Sequence, residues 1–307
     1  MTDGLISASV LLVPIALLAL TTIAATVSAG QDALASGRRL TFAELLSPVR
    51  ECVRLLQVRR RTTLHPDALL WRIGGSAILV TAVLALAVVP IGDRAIVPTT
   101  VGVVWFNAAE TLLWAALWLT GWGANSAAGL FGGYRFLALA LAYELPFMLA
   151  LITAAVRGAS LNPVVIAAAQ GGLWSVVVMP VAFAVYLVSA AAFTFWGPFA
   201  QPAGADVAGG VLAELSGVDR LVVLLGRYGW LSAAAAMAVP LFLGGGSGPL
   251  LGPVAWQLIK TLAVLVGLVA VRRWVPVLRA DRFEEIAWVV LLPAILLQAL
   301  VVSVLVL

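Results

Sequence analysis

The sequence predicts an all-α polytopic membrane protein: about eight transmembrane helices, plus an amphipathic interfacial helix in the first cytoplasmic loop. Three observations carry this. Hydrophobic residues make up 63% of the 307 and charged residues only 10%, more apolar surface than a water-soluble core could hide. Apolar runs of about 20 residues, the length that crosses a hydrocarbon core, recur along the whole chain. The arginines collect in alternate loops, as the cytoplasmic bias of basic residues requires.

The runs fall at 4–29, 72–91, 98–120, 134–156, 171–195, 220–244, 254–272 and 284–306. The chain therefore reads as one membrane domain, 1–307: a first helix over 1–29, a cytoplasmic loop over 30–71, and seven further helices over 72–307. The start, Met1-Thr-Asp-Gly, lacks the basic region of a secretory signal, and its apolar run is long enough to span, so the first helix is expected to be retained. The sixth run opens with Arg220 and carries Arg227 and Gly229 in its first turns.

The first loop and its flanks hold Arg38, Arg39, Arg50, Arg54, Arg59, Arg60, Arg61 and Arg72, and the seventh holds Arg272, Arg273, Arg279 and Arg282. The second offers only Arg94, the fourth only Arg157 and the sixth none. Odd-numbered loops are thus predicted cytoplasmic and both termini outward. Within the first loop, Phe42, Leu45, Leu46, Val49, Val53 and Leu56 recur at helical spacing, while Glu44, Arg50, Glu51, Arg54 and Gln57 take another face. Such a helix lies in the interface; the plainer reading is a basic loop that only sets topology.

Several function classes fall away. The net charge of +4 sits on loops and not on a soluble domain, so nucleic acid is not a predicted partner. Cys52 and His65 are the lone members of their kinds. They can build neither an iron–sulfur ligand set nor a haem bracket, nor a metal centre. Cys52 reads as a packing residue and His65 as a loop or interfacial one. No redox cofactor is expected on this chain; one would belong to a partner or arrive as a diffusible substrate. There is no internal or inverted repeat of the kind secondary transporters carry, and Gly244 to Gly248 precedes Pro249 without a phosphate-loop pattern.

Ionisable residues at membrane depth are costly and mark candidate sites. Glu144 lies ten residues after Tyr134 and Glu110 eleven before Gly121, so each sits roughly 15 Å into its helix. The two helices are sequential and antiparallel, which brings both acids near the midplane. Spacing fixes their depth and not their facing; acids that face would repel, leaving at least one protonated at neutral pH. Pro146 frees the carbonyl of Ala142 beside Glu144. Arg135 falls on the opposite helical face from Glu144, near the cytoplasmic surface, and Lys260, the single lysine, lies in the outer half of its span. A purely structural account has these charges pair and hold the bundle together.

The run Gly121-Trp122-Gly-Ala-Asn125-Ser126, followed by Leu130, Gly132, Arg135 and Tyr143-Glu144, resembles the H-type membrane subunit of the bacterial NADH–quinone oxidoreductase, respiratory complex I. Gly197-Pro198-Phe199-Ala200-Gln201-Pro202 resembles that family's Pro-Phe-Asp-x-Pro loop, and Glu214-Leu-Ser216-Gly217 its Glu-Tyr-Ser/Thr-Gly. Leu241 to Gly245, Gly248-Pro249, Trp256 through Lys260-Thr261, then Arg272, Pro276, Arg279, Asp281, Trp288 and Pro293 follow at family spacing. The resemblance covers residues 40–307.

It implies eight helices with outward termini in a bacterial inner membrane, and a subunit at the heel of the membrane arm. There the peripheral redox arm docks, and helices and the third cytoplasmic loop shape a chamber that admits quinone. The resemblance implies other membrane-arm subunits, peripheral iron–sulfur and quinone-site subunits, quinone and lipid as partners. Iron–sulfur clusters and flavin would sit in those partners, and none on this chain. Carried over residue by residue, Arg135, Tyr143, Glu144 and Lys260 would lie on a path coupling quinone reduction to proton translocation. Asp206 and Glu214 would lie on the chamber loop, and Arg279 and Asp281 at the cytoplasmic ends of the last helices.

The chain also departs from the family pattern. The first loop lacks the Gly-Pro-Asn-Arg-x-Gly segment. Ala200 replaces the loop's Asp, and Asp206 alone remains of an acidic cluster; Arg227 stands where a Glu is usual, and Leu139 where a Gln is. Glu110 is an added acid. Two further readings follow: a non-catalytic structural anchor of the same fold, and a membrane anchor of an energy-converting hydrogenase-type complex.

Overall fold

The computed structural model describes the backbone of residues 2–306 and the side chains of 12–306. A long first helix α1 (Thr2–Ala35) is followed by a short turn of helix α2 (Phe42–Leu45) and by α3 (Ser47–Gln57). Then come α4 (Ala68–Ala87), a two-residue hairpin of β1 (Pro90–Ile91) and β2 (Arg94–Ala95), and the long pair α5 (Gly102–Gly123) and α6 (Ala127–Arg157). Three short helices follow, α7 (Pro163–Ala168), α8 (Ser175–Val178) and α9 (Pro180–Phe193), and then α10 (Gly217–Phe242) and α11 (Pro253–Trp274). The last segment runs from α12 (Ala280–Ile286) through a π-turn (Ala287–Leu291) into α13 (Leu292–Val306).

Seven of these segments are long and apolar enough to cross a membrane. The eighth expected span, 171–195, forms differently. Gly171 to Trp174 is irregular, and Pro180, which cannot donate to the turn before it, separates α8 from α9. The 14 residues of α9 reach only about 21 Å, short of a hydrocarbon core of about 30 Å. The other expected spans agree to within a few residues, except that the first runs on to Ala35 and the fourth begins earlier, at Ala127, and runs unbroken through Pro146.

The central helix is α10, 72% of whose most apolar window is buried, against 11% for the last segment. Around it lies an aromatic core: Trp230 meets Phe106 and Phe193 edge-on at 5.9 and 5.6 Å, and Phe193 in turn meets Tyr143 and Phe147. Helices α5 and α6 close on each other at Gly121, where a Cβ would strike the backbone carbonyl of Gly129.

The expected amphipathic stripe is present but divided at Leu46, with Phe42 and Leu45 on α2 and Val49, Val53 and Leu56 on α3. Leu55 packs inward against α1 and α10, while Phe42, Val49, Val53 and Leu56 are exposed. The predicted apolar face is therefore free to lie in lipid. Glu51 and Arg54, on the polar face, pair at 2.7 Å.

The connection between α9 and α10 is irregular, built of four single 3₁₀ turns from Gly197 to Leu212. It is seated on α6 at Gly132, where any Cβ would run into the carbonyl of Pro202 and the amide of Val211. Gly132→Ala is therefore expected to cost about 1–3 kcal/mol through overpacking and to loosen this connection, measured as a lower thermal midpoint in detergent with faster proteolysis between 197 and 216.

Candidate functional site

The nine candidate residues separate into four places. At mid-membrane, α5 and α6 bring Glu110, Tyr143 and Glu144 together. Glu110 is fully buried, and its Oε1 accepts from the Tyr143 hydroxyl at 2.6 Å and from Trp114 Nε1 at 3.0 Å. Asn107 Nδ2 donates to Glu144 Oε1 at 3.2 Å. Tyr143, next to Glu144 on α6, reaches across to Glu110, and Asn107, one turn before Glu110 on α5, reaches across to Glu144, so both acids are turned into the same α5–α6 seam. Oε2 of each is left buried without a partner among the described residues, as is Asn107 Oδ1. Glu144 is half-buried and borders an exposed apolar strip of Leu141, Leu145 and Met148.

Asn107 and Trp114 escape a reading of the sequence alone, although a signal is there. Asn107, Glu110 and Trp114 stand at i, i+3 and i+7, one face of a helix.

The second place is a cleft of about 930 Å³ at the arginine-rich end. Arg135, Asp206, Arg279 and Asp281 line it together, with Gln201. Arg135 pairs with Asp206 at 2.7 Å, and Arg279 with Asp281 at 3.1 Å. Gln201 ties the connection to the segment before α12: its amide donates to the Leu278 carbonyl and its Oε1 accepts from the Ala280 amide at 3.1 Å. The Leu278 amide adds a bond to the Pro198 carbonyl at 2.7 Å. The seven residues of α6 between this cleft and Tyr143, Phe136 to Ala142, are all apolar, a plug of about 12 Å. Leu139, with Phe136 and Ala140, is completely buried in it.

Glu214 stands in neither cluster. It accepts from the Ser126 hydroxyl at 2.9 Å, while Ser216 Oγ accepts from the Arg61 amide at 2.6 Å and Asn125 donates to the carbonyls of Leu64 and His65. The Asn125-Ser126 motif thus fastens the loop after α3 and the end of the 194–216 connection to the α5–α6 turn.

Lys260 occupies the fourth place, at the opposite end of the molecule. Its ammonium donates to the carbonyls of Leu243, Gly245 and Ser247 at 2.7, 2.9 and 2.7 Å, and lies 4.3 Å above the Trp174 ring. All three donors of the group are engaged, so its geometry is that of a clamp on the glycine-rich loop. Gln170 does similar work nearby, donating to the Pro240 carbonyl at 2.7 Å and accepting from the amides of Ser175 and Gly244.

Arg227 of α10, half-buried, donates to the carbonyls of Thr194 and Phe195 and stacks 4.2 Å over the Phe195 ring. It closes the end of α9, where Phe195 is left-handed at φ 41°.

A separate cavity of about 400 Å³ lies between α1, α3 and α10. Its walls are mostly apolar, with Ser28, Asp32, Glu51, Cys52 and Tyr228 as polar points. Asp32 is held there by Arg272 and Arg273. Among the described residues no group of three or more His, Cys, Asp and Glu is placed to hold a metal ion.

These geometries carry two expectations. Lys260→Met leaves three carbonyls without their charged donor and is expected to cost about 3 kcal/mol, read as a lower unfolding midpoint in detergent. The Arg135 guanidinium beside Asp206 holds its carboxyl below the usual carboxylate range. Because the folded value is depressed, the contribution is complete above the ordinary range near about pH 4 and is lost as pH falls through and below it. Hydrogen-exchange protection of residues 201–208 is expected to be flat from neutral to mildly acidic pH and to drop below that range. Asp206→Asn should abolish the drop.

Residues 6–303 match the family model described as NADH dehydrogenase. The chain is 32% identical over 268 residues to the H 2 subunit of the NADH-quinone oxidoreductase of Geobacter sulfurreducens, covering 84% of this chain and 82% of that relative. It is 33% identical over 261 residues to the corresponding H 2 subunit of Rhodopseudomonas palustris, at 84% and 82% coverage. To the H subunit of Geobacillus kaustophilus it is 31% identical over 267 residues, at 85% and 80%. With its helical membrane architecture, the chain belongs to the NADH dehydrogenase family, as a multi-pass membrane subunit of the complex I type.

Proposed function

We propose that this chain is the heel subunit of a proton-translocating NADH–quinone oxidoreductase in a bacterial cell membrane, with its termini outward, and that it lends part of the quinone chamber and the start of the proton-coupling path. The observation that carries the reading is the Glu110–Glu144 pair. Two facing carboxyls, each with one oxygen lacking a donor, have room for a proton shared between them, and Tyr143, Trp114 and Asn107 fix both in place. Buried acids at this depth are retained for a task.

The cavity between α1, α3 and α10 supports the quinone half of the reading. Its volume of about 400 Å³ falls in the range of small-molecule sites, and its apolar walls suit an isoprenoid tail while Tyr228, Ser28 and Asp32 supply polar points for a head. The half-buried Glu144 cannot rest against hydrocarbon, which fits a further membrane subunit covering the Leu141–Leu145–Met148 strip. The electron-carrying clusters and flavin belong to peripheral partners.

A second reading, a docking anchor that moves no protons, draws on the apolar plug from Phe136 to Ala142 and on the cation Arg227.

Glu144→Gln and Glu110→Gln in the assembled complex separate the two. The proton-path reading expects coupled quinone reduction to fall by about tenfold or more with subunit content unchanged. Activity equal to wild type in both variants would leave the anchor reading.

A further inference from the structure

The loop after α3 returns to the bundle where α4 and α10 begin, and a pocket of about 130 Å³ remains between the three. It shares no wall residue with the Arg135 cleft or with the cavity beside α1. Gly217, left-handed at φ 55°, lets the loop close on α10: a Cβ there would strike the Val58 carbonyl and come within 3.6 Å of Arg60 Cγ.

The walls are rich in donors. Arg60, Arg72 and Ser76 line the pocket, and Asp219 is the one acid among its lining residues. Asp219 meets Arg60 through Nε alone, at 3.4 Å, and Arg72 pairs with no carboxylate among the described residues. Residues 58–72 carry four arginines against one acid, Asp67. That acid is already engaged, capping α4 through the Leu70 amide at 3.1 Å.

Trp71 is an independent sign of a ligand. It is only 7% exposed and lines the pocket, yet its buried indole N–H has no acceptor among the described residues. A buried donor left unmet is costly, and an acceptor in the pocket would answer it. The Ser216 side chain does not cap α10, because its hydroxyl takes the Arg61 amide instead. A 26-residue helix thus brings an uncapped first turn to the pocket at Val218 and Asp219, an arrangement that draws anions.

Charge and size together name the ligand group. Two guanidiniums, a hydroxyl, an indole N–H and a helix N-terminus suit a tetrahedral oxyanion. The volume lies below the roughly 300 Å³ at which sites for whole small molecules begin, so a headgroup fragment enters and the rest of its molecule lies outside. The surface of α4 shows where. Leu69, Ile73, Ser76 and Val80 stand at i, i+4, i+7 and i+11, one helical stripe. Leu69, Ile73 and Val80 are 68%, 49% and 54% exposed on a helix long and apolar enough to span. The pocket therefore meets, at Ser76, an apolar strip suited to hydrocarbon, and Arg72 stands in the second turn of α4, at headgroup depth.

We propose that this pocket binds the phosphate of a phospholipid from the arginine-rich leaflet, held by Arg60, Arg72, Ser76 and the Trp71 indole N–H, with an acyl chain along the Ile73–Val80 strip of α4. The lipid pins the loop after α3 to the starts of α4 and α10, and its binding does not depend on quinone or proton chemistry.

The test uses the assembled complex in phosphatidylcholine vesicles doped with a phosphatidylglycerol that carries a diazirine on its acyl chain. After irradiation, labelled residues are mapped by mass spectrometry. Labelling between Ile73 and Val80 is expected to exceed that at Leu297 and Leu300, which are exposed on α13. It is expected to fall by at least about tenfold in Arg60→Gln/Arg72→Gln, two changes at exposed positions. Trp71→Phe keeps an aromatic ring and removes the donor, and is expected to lower labelling about tenfold. Labelling of α13 stays constant in all of these variants. Equal labelling of α4 in wild type and the double glutamine variant would overturn the proposal. So would a cross-link from Ile73 or Val80 to a helix of another subunit, or displacement of the probe by inorganic phosphate, which would assign the pocket to the free ion.

Discussion

Hydrocarbon offers no hydrogen-bond partner, so every polar group within the bundle must find one inside the protein. This constraint explains most of what is irregular here. Where backbone leaves helical order within the bundle's depth, a long polar side chain meets the freed carbonyls: Arg227 at the end of α9, Gln170 and Lys260 around the end of α10. Each is a long polar side chain set at a helix terminus, where orphan carbonyls collect. Glu110 and Glu144 are the contrast. They sit mid-helix, where the backbone is already satisfied, and each keeps an oxygen without a donor among the described residues. The same rule that makes the cations structural makes the acids conspicuous.

The charges therefore do different work from one end of the molecule to the other. At the arginine-rich end, ion pairs and Gln201 knit the 194–216 connection to α6 and to the start of α12. The carboxyl pair stands apart from this network behind an apolar stretch of α6. Along α6, the seven apolar residues Phe136 to Ala142 separate the carboxyl pair from the arginine-rich cleft.

Much of this is legible in the sequence and some is not. Length and apolarity find seven helices, five of them to within a few residues, and periodicity finds the amphipathic stripe with the face that lies outward. The break at Pro180 is written in the chain, yet the continuous apolar run over 171–195 conceals it. Pro146, the same residue type, leaves α6 intact. The spacing of Glu110 and Glu144 gives their depth, but their facing depends on how α5 and α6 rotate against each other. That rotation is set by the close approach of Gly121 and Gly129. The family resemblance puts Lys260 on a proton path; the positive-φ turns at Gly244 and Gly245 point carbonyls at its ammonium, and no pattern of residue types announces that. The Asn125-Ser126 motif is visible in the sequence only as a resemblance, and its bonds to the loop after α3 give it a physical purpose.

Glu110 and Glu144 act, on this account, as one unit. A double-mutant cycle on coupled quinone reduction by the assembled complex addresses that most directly, because groups that share one task lose it together while independent groups add their losses. If the pair is a unit, Glu110→Gln/Glu144→Gln will be no more impaired than the worse single variant. Fold-losses that multiply in the double variant would show two separate roles and contradict the account.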